Sequence, residues 1–342
     1  MSSGGGSDPS AVSELHSITD SLIETVLGAP RTMSREEVAR AAGMSLEDAR
    51  QYWRAMGFAD VGDSDAFTAR DLEALEAVHR LVAAGVLDKS EALDVVRSLG
   101  QTTSRMAEWQ TGTLARLLAR QGEIPDENTL RHEHVEKVAE LTAALLPSLE
   151  DMLVYAWRRQ LAAAIQRSVD AADEGDDDEA GQLVVGFADL VGFTRLSRQL
   201  PDDRLADLVT SFEHDSADVV AATGARLIKT LGDEVMFVAD EPDSAVETAF
   251  GLHAAHGQGQ DVPQLRVGMA FGEVVTRMGD VFGTTVNQAS RLTALARPGA
   301  TLVDDACARG LLGDPRFYLR TLRPRALRGL GAVRAWSVTP AR

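Results

Sequence analysis

A chain of 342 residues, 44% of them hydrophobic, is long enough for about two packed domains. Its 52 acidic against 34 basic side chains leave a net charge of -18 and a pI of about 4.8, which argues against general binding to nucleic acid or to anionic lipid. The single cysteine, Cys307, excludes an internal disulfide; with no signal-like start and no run of about 20 apolar residues, the expectation is a cytoplasmic protein without a membrane span.

In chain order, residues 1–9 carry no core-forming side chains and read as a disordered start. Val12, Leu15, Ile18, Leu22 and Val26 follow at helical spacing. Two short helices come next, each opened by a capping pair, Ser34 with Glu37 and Ser45 with Asp48. Thr68 and Asp71 open a longer helix with Leu72, Leu75, Val78, Leu81 and Val82 on its inward face. Helical patterning continues through Leu93–Leu99, Met106–Leu118 and Val135–Leu145; Pro147 marks a break, and a last helix runs from about Leu149 to Val169. Residues 10–169 are therefore expected to form an all-α domain.

The segment Ser34–Phe58 with the helix after it resembles the helix-turn-helix of MerR-type regulators. Its four arginines (Arg35, Arg40, Arg50, Arg54) are cancelled by Glu36, Glu37, Glu47 and Asp48, whereas a DNA-reading surface needs net positive charge. A helical bundle of shared topology is the favoured reading.

Residues 170–181 form a linker, with seven acids in the ten residues Asp170–Glu179. From 182 to 342 the pattern changes. Strand-like runs fall at Leu183–Phe187, Ala225–Lys229, Val235–Ala239, Leu265–Phe271 and Thr301–Val303, with helical runs at about Leu205–Ala222, Ser244–His256 and Thr285–Ala296. This alternation around a central hairpin indicates an α+β domain of the ferredoxin-like kind. Residues 315–342 hold seven arginines and no acid.

Within that domain Asp189 ends an apolar strand and Asp233 sits in the turn of the hairpin Ile228–Phe237. Each alone is ordinary turn or cap chemistry; together they offer oxygen donors on adjacent strand ends, the set a nucleotide-bound Mg²⁺ uses. Lys229, four residues before Asp233, is one of only three lysines. Asn287 and Arg291 are four apart on a helix and share a face.

Three motifs in order, Phe187-x-Asp189-x-x-Gly192-Phe193-Thr194, Lys229-Thr-Leu-Gly232-Asp233 and Gly279-Asp280-Val-Phe282-Gly283-x-x-Val286-Asn287-x-x-x-Arg291, resemble the class III nucleotidyl cyclases. The resemblance covers about residues 182–342. It implies Asp189 and Asp233 as ligands of two Mg²⁺ or Mn²⁺ ions, Lys229 and Asp280 as readers of the base, and Asn287 and Arg291 as the transition-state pair. It also implies ATP as substrate and a homodimer, with metal ligands from one chain and the other four residues from its neighbour. Arg325 and Arg328 are candidates for the β- and γ-phosphates, a solvated edge being the other reading. Glu234 departs from the pattern, where many relatives have glycine, and adds a carboxylate near the metals. The helical segment ahead of the cyclase resembles the soluble, pH-sensing, autoinhibited cyclases of actinobacteria, which implies regulation by residues 10–169. His132 and His134 are then candidate proton sensors, and an apolar ligand is a further candidate. The competing functions are a nucleotide-sensing transcriptional regulator and a guanylyl cyclase.

Overall fold

The computed structural model describes residues 19–58, 66–120, 122, 135–173, 181–256, 263–277, 279–327 and 331–341. The chain divides into two compact units at Ser168/Val169.

The first unit is helical. Residues 19–27 (α1) are the described part of the first expected helix, and Val26 and Leu27 on it are exposed. Arg35–Ala41 (α2), Leu46–Ala55 (α3) and Ala69–Ala83 (α4) start where the capping pairs place them. Ser34 and Thr68 each form both halves of a capping box, while Ser45 accepts the Asp48 N–H. Such a cap is worth about 1 kcal/mol against alanine, enough to set the start of a short helix. Val38, Ala49, Tyr52, Trp53, Phe67, Leu75 and Val96 are in one core, with the Trp53 and Phe67 ring centroids 4.6 Å apart.

Two expectations are corrected. The separate runs after residue 88 fuse into one helix, Lys89–Arg120 (α5), and Pro147 does not end a helix but lies inside Val135–Asp173 (α6). A helix-interior proline forfeits one backbone hydrogen bond and costs about 3 kcal/mol. Long flanking runs of Ala, Leu, Glu and Met carry the helix through it. α6 also enters the acidic run as far as Asp173; residues 174–180 of that run lie outside the described residues. Met152, Trp157, Leu161 and Ile165 on α6 are exposed. Among the described residues of this unit, one antiparallel bridge, Met33 to Phe67, accompanies the helices.

The second unit is built on a seven-stranded sheet of order β2-β3-β1-β4-β7-β11-β8. The strands are Gln182–Leu190 (β1), Arg226–Leu231 (β2), Glu234–Ala239 (β3), Leu265–Glu273 (β4), Thr301–Val303 (β7), Phe317–Thr321 (β8) and Trp336–Pro340 (β11). Among the described strands only β4 and β7 pair in parallel. Val275–Arg277 (β5) with Asp280–Phe282 (β6), and Arg325–Leu327 (β9) with Gly331–Val333 (β10), form two small ribbons. Helices Phe193–Leu196 (α7), Asp202–Ala222 (α8), Pro242–His256 (α9), Thr284–Leu295 (α10) and Asp305–Leu311 (α11) complete the unit. Strand periodicity sends Val184, Ala188 and Leu190 of β1 into a core with Phe212 of α8 and Leu252 of α9, while Val185 and Phe187 join Ala289 of α10. Both faces of the central strands are thereby covered, and the candidate site residues are left at strand ends, turns and the outer face of α10. This is the α+β arrangement expected from the sequence.

Candidate active site

β1 lies between β3 and β4, and the register sets Asp189 opposite Glu234 on one side and Arg266 on the other. The Leu190 N–H donates to the Asp233 carbonyl at 2.9 Å, which ties the β2–β3 turn to the end of β1. Gly232 takes a φ of +68° in that turn, a left-handed value that a side chain disfavours. Three carboxylates, Asp189, Asp233 and Glu234, thus share one end of the sheet, with Arg266 the cation bonded to one of them.

Arg266 donates through Nε at 2.7 Å, and also through Nη2, to the same oxygen of Asp189, Oδ2. The other Asp189 oxygen is left for a second partner. Burial pushes the Asp233 carboxyl above the usual range, and the nearby Asp189 charge pushes the same way against Arg266. Burial likewise raises Glu234, followed by the charges of Asp189 and Asp233. A half-buried group with more carboxylates than counter-charges fits a divalent cation. Among the described residues no three His, Cys, Asp or Glu side chains form a ready metal cage. A Mg²⁺ that arrives with a nucleotide needs only one or two carboxylates, the rest of its shell being phosphate oxygens and water.

Lys229 leaves this cluster and points elsewhere. Its Nζ donates to Asp280 Oδ2 at 2.5 Å, and the Val281 N–H holds the other Asp280 oxygen at 2.9 Å. Both side chains of the pair keep about a third of their surface, 33% and 30%, so the pair is open to a ligand. Neighbouring Thr230 donates to Glu213 of α8 at 2.7 Å, which steadies β2 at the sheet edge.

Asn287 and Arg291 lie one turn apart on α10, both exposed. Gln288 beside them donates to Asp304 at 3.2 Å. Asp304 is 4% exposed and also accepts the Cys307 and Phe271 N–H groups at 2.8 and 3.3 Å, so it moors α10 to β4 and α11. Sequence reasoning missed both Arg266 and Asp304. A lone charge inside the apolar strand Leu265–Phe271, and an acid between an apolar strand and a helix start, are the signals that could have found them. Arg325 is placed in β9 by its backbone alone, its side chain being outside the described set; Arg328, His132 and His134 lie outside the described residues.

A Streptomyces coelicolor protein named adenylate cyclase is 46% identical, over 92% of this chain and 87% of its own length. The chain belongs to the adenylate cyclase family. Another relative of that name, from Streptomyces griseus, is 47% identical over 91% of this chain and 80% of its own. A pH-sensitive adenylate cyclase of Mycobacterium tuberculosis is 33% identical over 90% and 78%. Residues 176–340 match the family described as Adenylate and Guanylate cyclase catalytic domain, and residues 12–161 match Adenylate cyclase regulatory domain. Among solved structures, the adenylyl cyclase CyaB from P. aeruginosa aligns at 22% identity over 48% of this chain and 96% of its own, with a TM-score of 0.44. Divalent metal ions are general to this family, in keeping with the carboxylates at the end of β1. Among the described residues no helix is long and apolar enough to cross a membrane.

Proposed function

We propose that the chain is an adenylyl cyclase, converting ATP to 3′,5′-cyclic AMP and pyrophosphate at sites completed by a second copy of the chain. The observation that carries the reading is the Lys229–Asp280 hydrogen bond, a donor and an acceptor held side by side and partly open to solvent. Adenine presents an acceptor at N1 and a donor at N6, which this pair complements. With the lysine kept opposite position 1 and the carboxylate opposite position 6, the N1–H and O6 of guanine would leave both groups mispaired.

Two Mg²⁺ or Mn²⁺ ions held by Asp189 and Asp233 would supply activation of the 3′-hydroxyl and screening of the triphosphate. Arg266 fixes the Asp189 carboxylate through one oxygen and keeps the other available. Asn287 orients the ribose so that the 3′-oxygen lies in line with the bond to the leaving pyrophosphate. Arg291 meets the negative charge that grows on the α-phosphoryl oxygens as that bond breaks. The exposure of Asn287 and Arg291 on α10 supports their serving a carboxylate cluster on a neighbouring chain, and a two-fold homodimer would give two such sites. The match of residues 12–161 supports a regulatory role for the helical unit, with pH or a small ligand as its input.

The test is turnover of ATP and of GTP by the full-length chain across pH. ATP should be strongly preferred, and Asp280→Ala should lower kcat/KM for ATP by about 10- to 100-fold while narrowing the preference. Equal use of GTP by the unaltered protein would sink the base-reading argument. A pH profile explained by the catalytic unit alone would remove the proton-sensing role of the helical one.

A further inference from the structure

Asp304 is a buried carboxylate that belongs neither to the proposed metal set nor to the base-reading pair. It is 4% exposed and caps α11, its Oδ1 accepting the Cys307 N–H at 2.8 Å and the Phe271 N–H of β4 at 3.3 Å. Its own backbone N–H donates to the Met269 carbonyl at 3.1 Å, so main chain and side chain both tie Asp304 to β4. Burial pushes its carboxyl above the usual range, the mark of surroundings that disfavour the charge. A serine or an asparagine would cap α11 as well as an aspartate does, without burying a charge. What those side chains lack is a second acceptor oxygen.

That second oxygen, Oδ2, accepts the Gln288 side-chain N–H at 3.2 Å. Gln288 directly follows Asn287 on α10. At about 100° per residue, Asn287 and Arg291 lie on the exposed face of the helix and Ala289 and Leu292 on the buried one, with Gln288 on the flank beside Arg291. Apolar packing of the buried face is non-directional, so it resists withdrawal of α10 more than rotation. Thr285 adds one bond from that face, its hydroxyl donating to the Glu273 carbonyl at 2.7 Å. A bond on the flank to a fixed acceptor opposes rotation, because its energy falls steeply with distance and angle. The helix with its side chains has a radius of about 5–6 Å, so a roll of about 10° moves a side-chain tip by about 1 Å.

We propose that Asp304 and Gln288 are positioning residues for the cyclisation: their hydrogen bond sets the roll of α10 and with it the aim of Asn287 and Arg291 at the substrate. This positioning rests on the roles proposed for Asn287 and Arg291, through which both residues act. It accounts for a buried carboxylate at a helix cap that a neutral side chain could fill.

Pyrophosphate release by the full-length chain, with melting curves beside it, tests the bond by exchanging its two ends. Gln288→Glu sets two carboxylates against each other. It should lower kcat for ATP about 10- to 100-fold with KM changed less than about 3-fold, since the aimed pair acts on the transition state. Adding Asp304→Asn to Gln288→Glu restores a donor opposite an acceptor and keeps an oxygen for the α11 cap; kcat should return to within about 3-fold of the unaltered chain. Gln288→Leu removes the donor without adding charge, so it carries the same expectation if Gln288→Glu fails to fold. The proposal is overturned if the folded Gln288 variants turn over ATP like the unaltered chain, if the paired exchange recovers nothing, or if the loss falls on KM and not on kcat. Asn287→Ala is measured alongside. If it is inactive while the Gln288 variants keep full kcat, the tether alone is overturned; if it is fully active, the role given to Asn287 fails and the tether has nothing to aim.

Discussion

Gly268→Ala is the sharpest perturbation of the proposed catalytic arrangement that avoids every residue assigned a chemical role. Gly268 lies in β4 where α10 crosses it, and a Cβ there would stand 2.1 Å from the Thr293 backbone N and 2.6 Å from both the Leu292 carbonyl carbon and Thr293 Oγ1. Those are chiefly backbone atoms of a helix, which cannot swing aside as a side chain tip does. Relief requires α10 to withdraw from the sheet by about 1 Å, carrying Asn287 and Arg291 with it. Overpacking of this kind costs about 1–3 kcal/mol, or a fall of about 2–12 °C in the melting of a unit this size. Misplacing reacting groups by 1 Å can cost about 100-fold in rate. The expected signature is therefore a catalytic loss far larger than the stability loss: kcat for ATP down about 10- to 100-fold in a protein that is still folded at assay temperature. Pyrophosphate release measured beside a circular-dichroism melt reads both. A folded Gly268→Ala protein with unaltered kcat would refute the claim that the α10–β4 contact sets the position of Asn287 and Arg291.

Asp189→Ala and Asn287→Ala should each be nearly inactive, and mixing them under conditions of subunit exchange should restore one working site per heterodimer. Exchange shown by labelled subunits without any recovery of turnover would end the shared-site reading. A pH dependence of stability follows from His253 and His256 of α9, whose pKa values burial lowers below the ordinary 6.5; His256 contacts Ser216 at 3.3 Å and His253 contacts Thr301 at 3.0 Å. With a folded-state pKa below the unfolded one, each ring contributes stability that is complete above the unfolded pKa and is lost as pH falls through the folded value. The melting temperature of the catalytic unit should drop as pH is lowered beneath 6.5, and His256→Gln should flatten that drop; an identical pH slope in the variant would contradict it.

Much of this fold was legible because its local signals are strong. Ser34, Ser45 and Thr68 mark their helix starts with side chains that satisfy orphan N–H groups, and the five expected strands and three expected helices of the second unit all occur. The misses have physical reasons. Pro147 carries a breaking signal that long helix-favouring flanks override, and β8 and β11 are short, half-exposed segments with no long apolar run. Asp304 was invisible as a tether because its partners, Gln288, Phe271 and Cys307, meet only after β4, α10 and α11 are packed.

The sequence by itself determined which groups are the candidates for the proposed chemistry: the carboxylates Asp189 and Asp233, the Lys229–Asp280 pair and the Asn287–Arg291 face, each announced by a short motif. Tertiary structure alone decided how they are partnered. Lys229 and Asp233 are four residues apart, yet the hairpin sends one to Asp280 and the other to the end of β1 beside Asp189. Arg266, 77 residues from Asp189 in the chain, becomes its bonded neighbour through the pairing of β1 with β4. Likewise Arg35, Arg50 and Arg54, spread along Ser34–Phe58, come together to line one cavity. The reason is common to all three: electrostatic and hydrogen-bond energies depend on distances of a few ångströms in space, and only packing sets those distances.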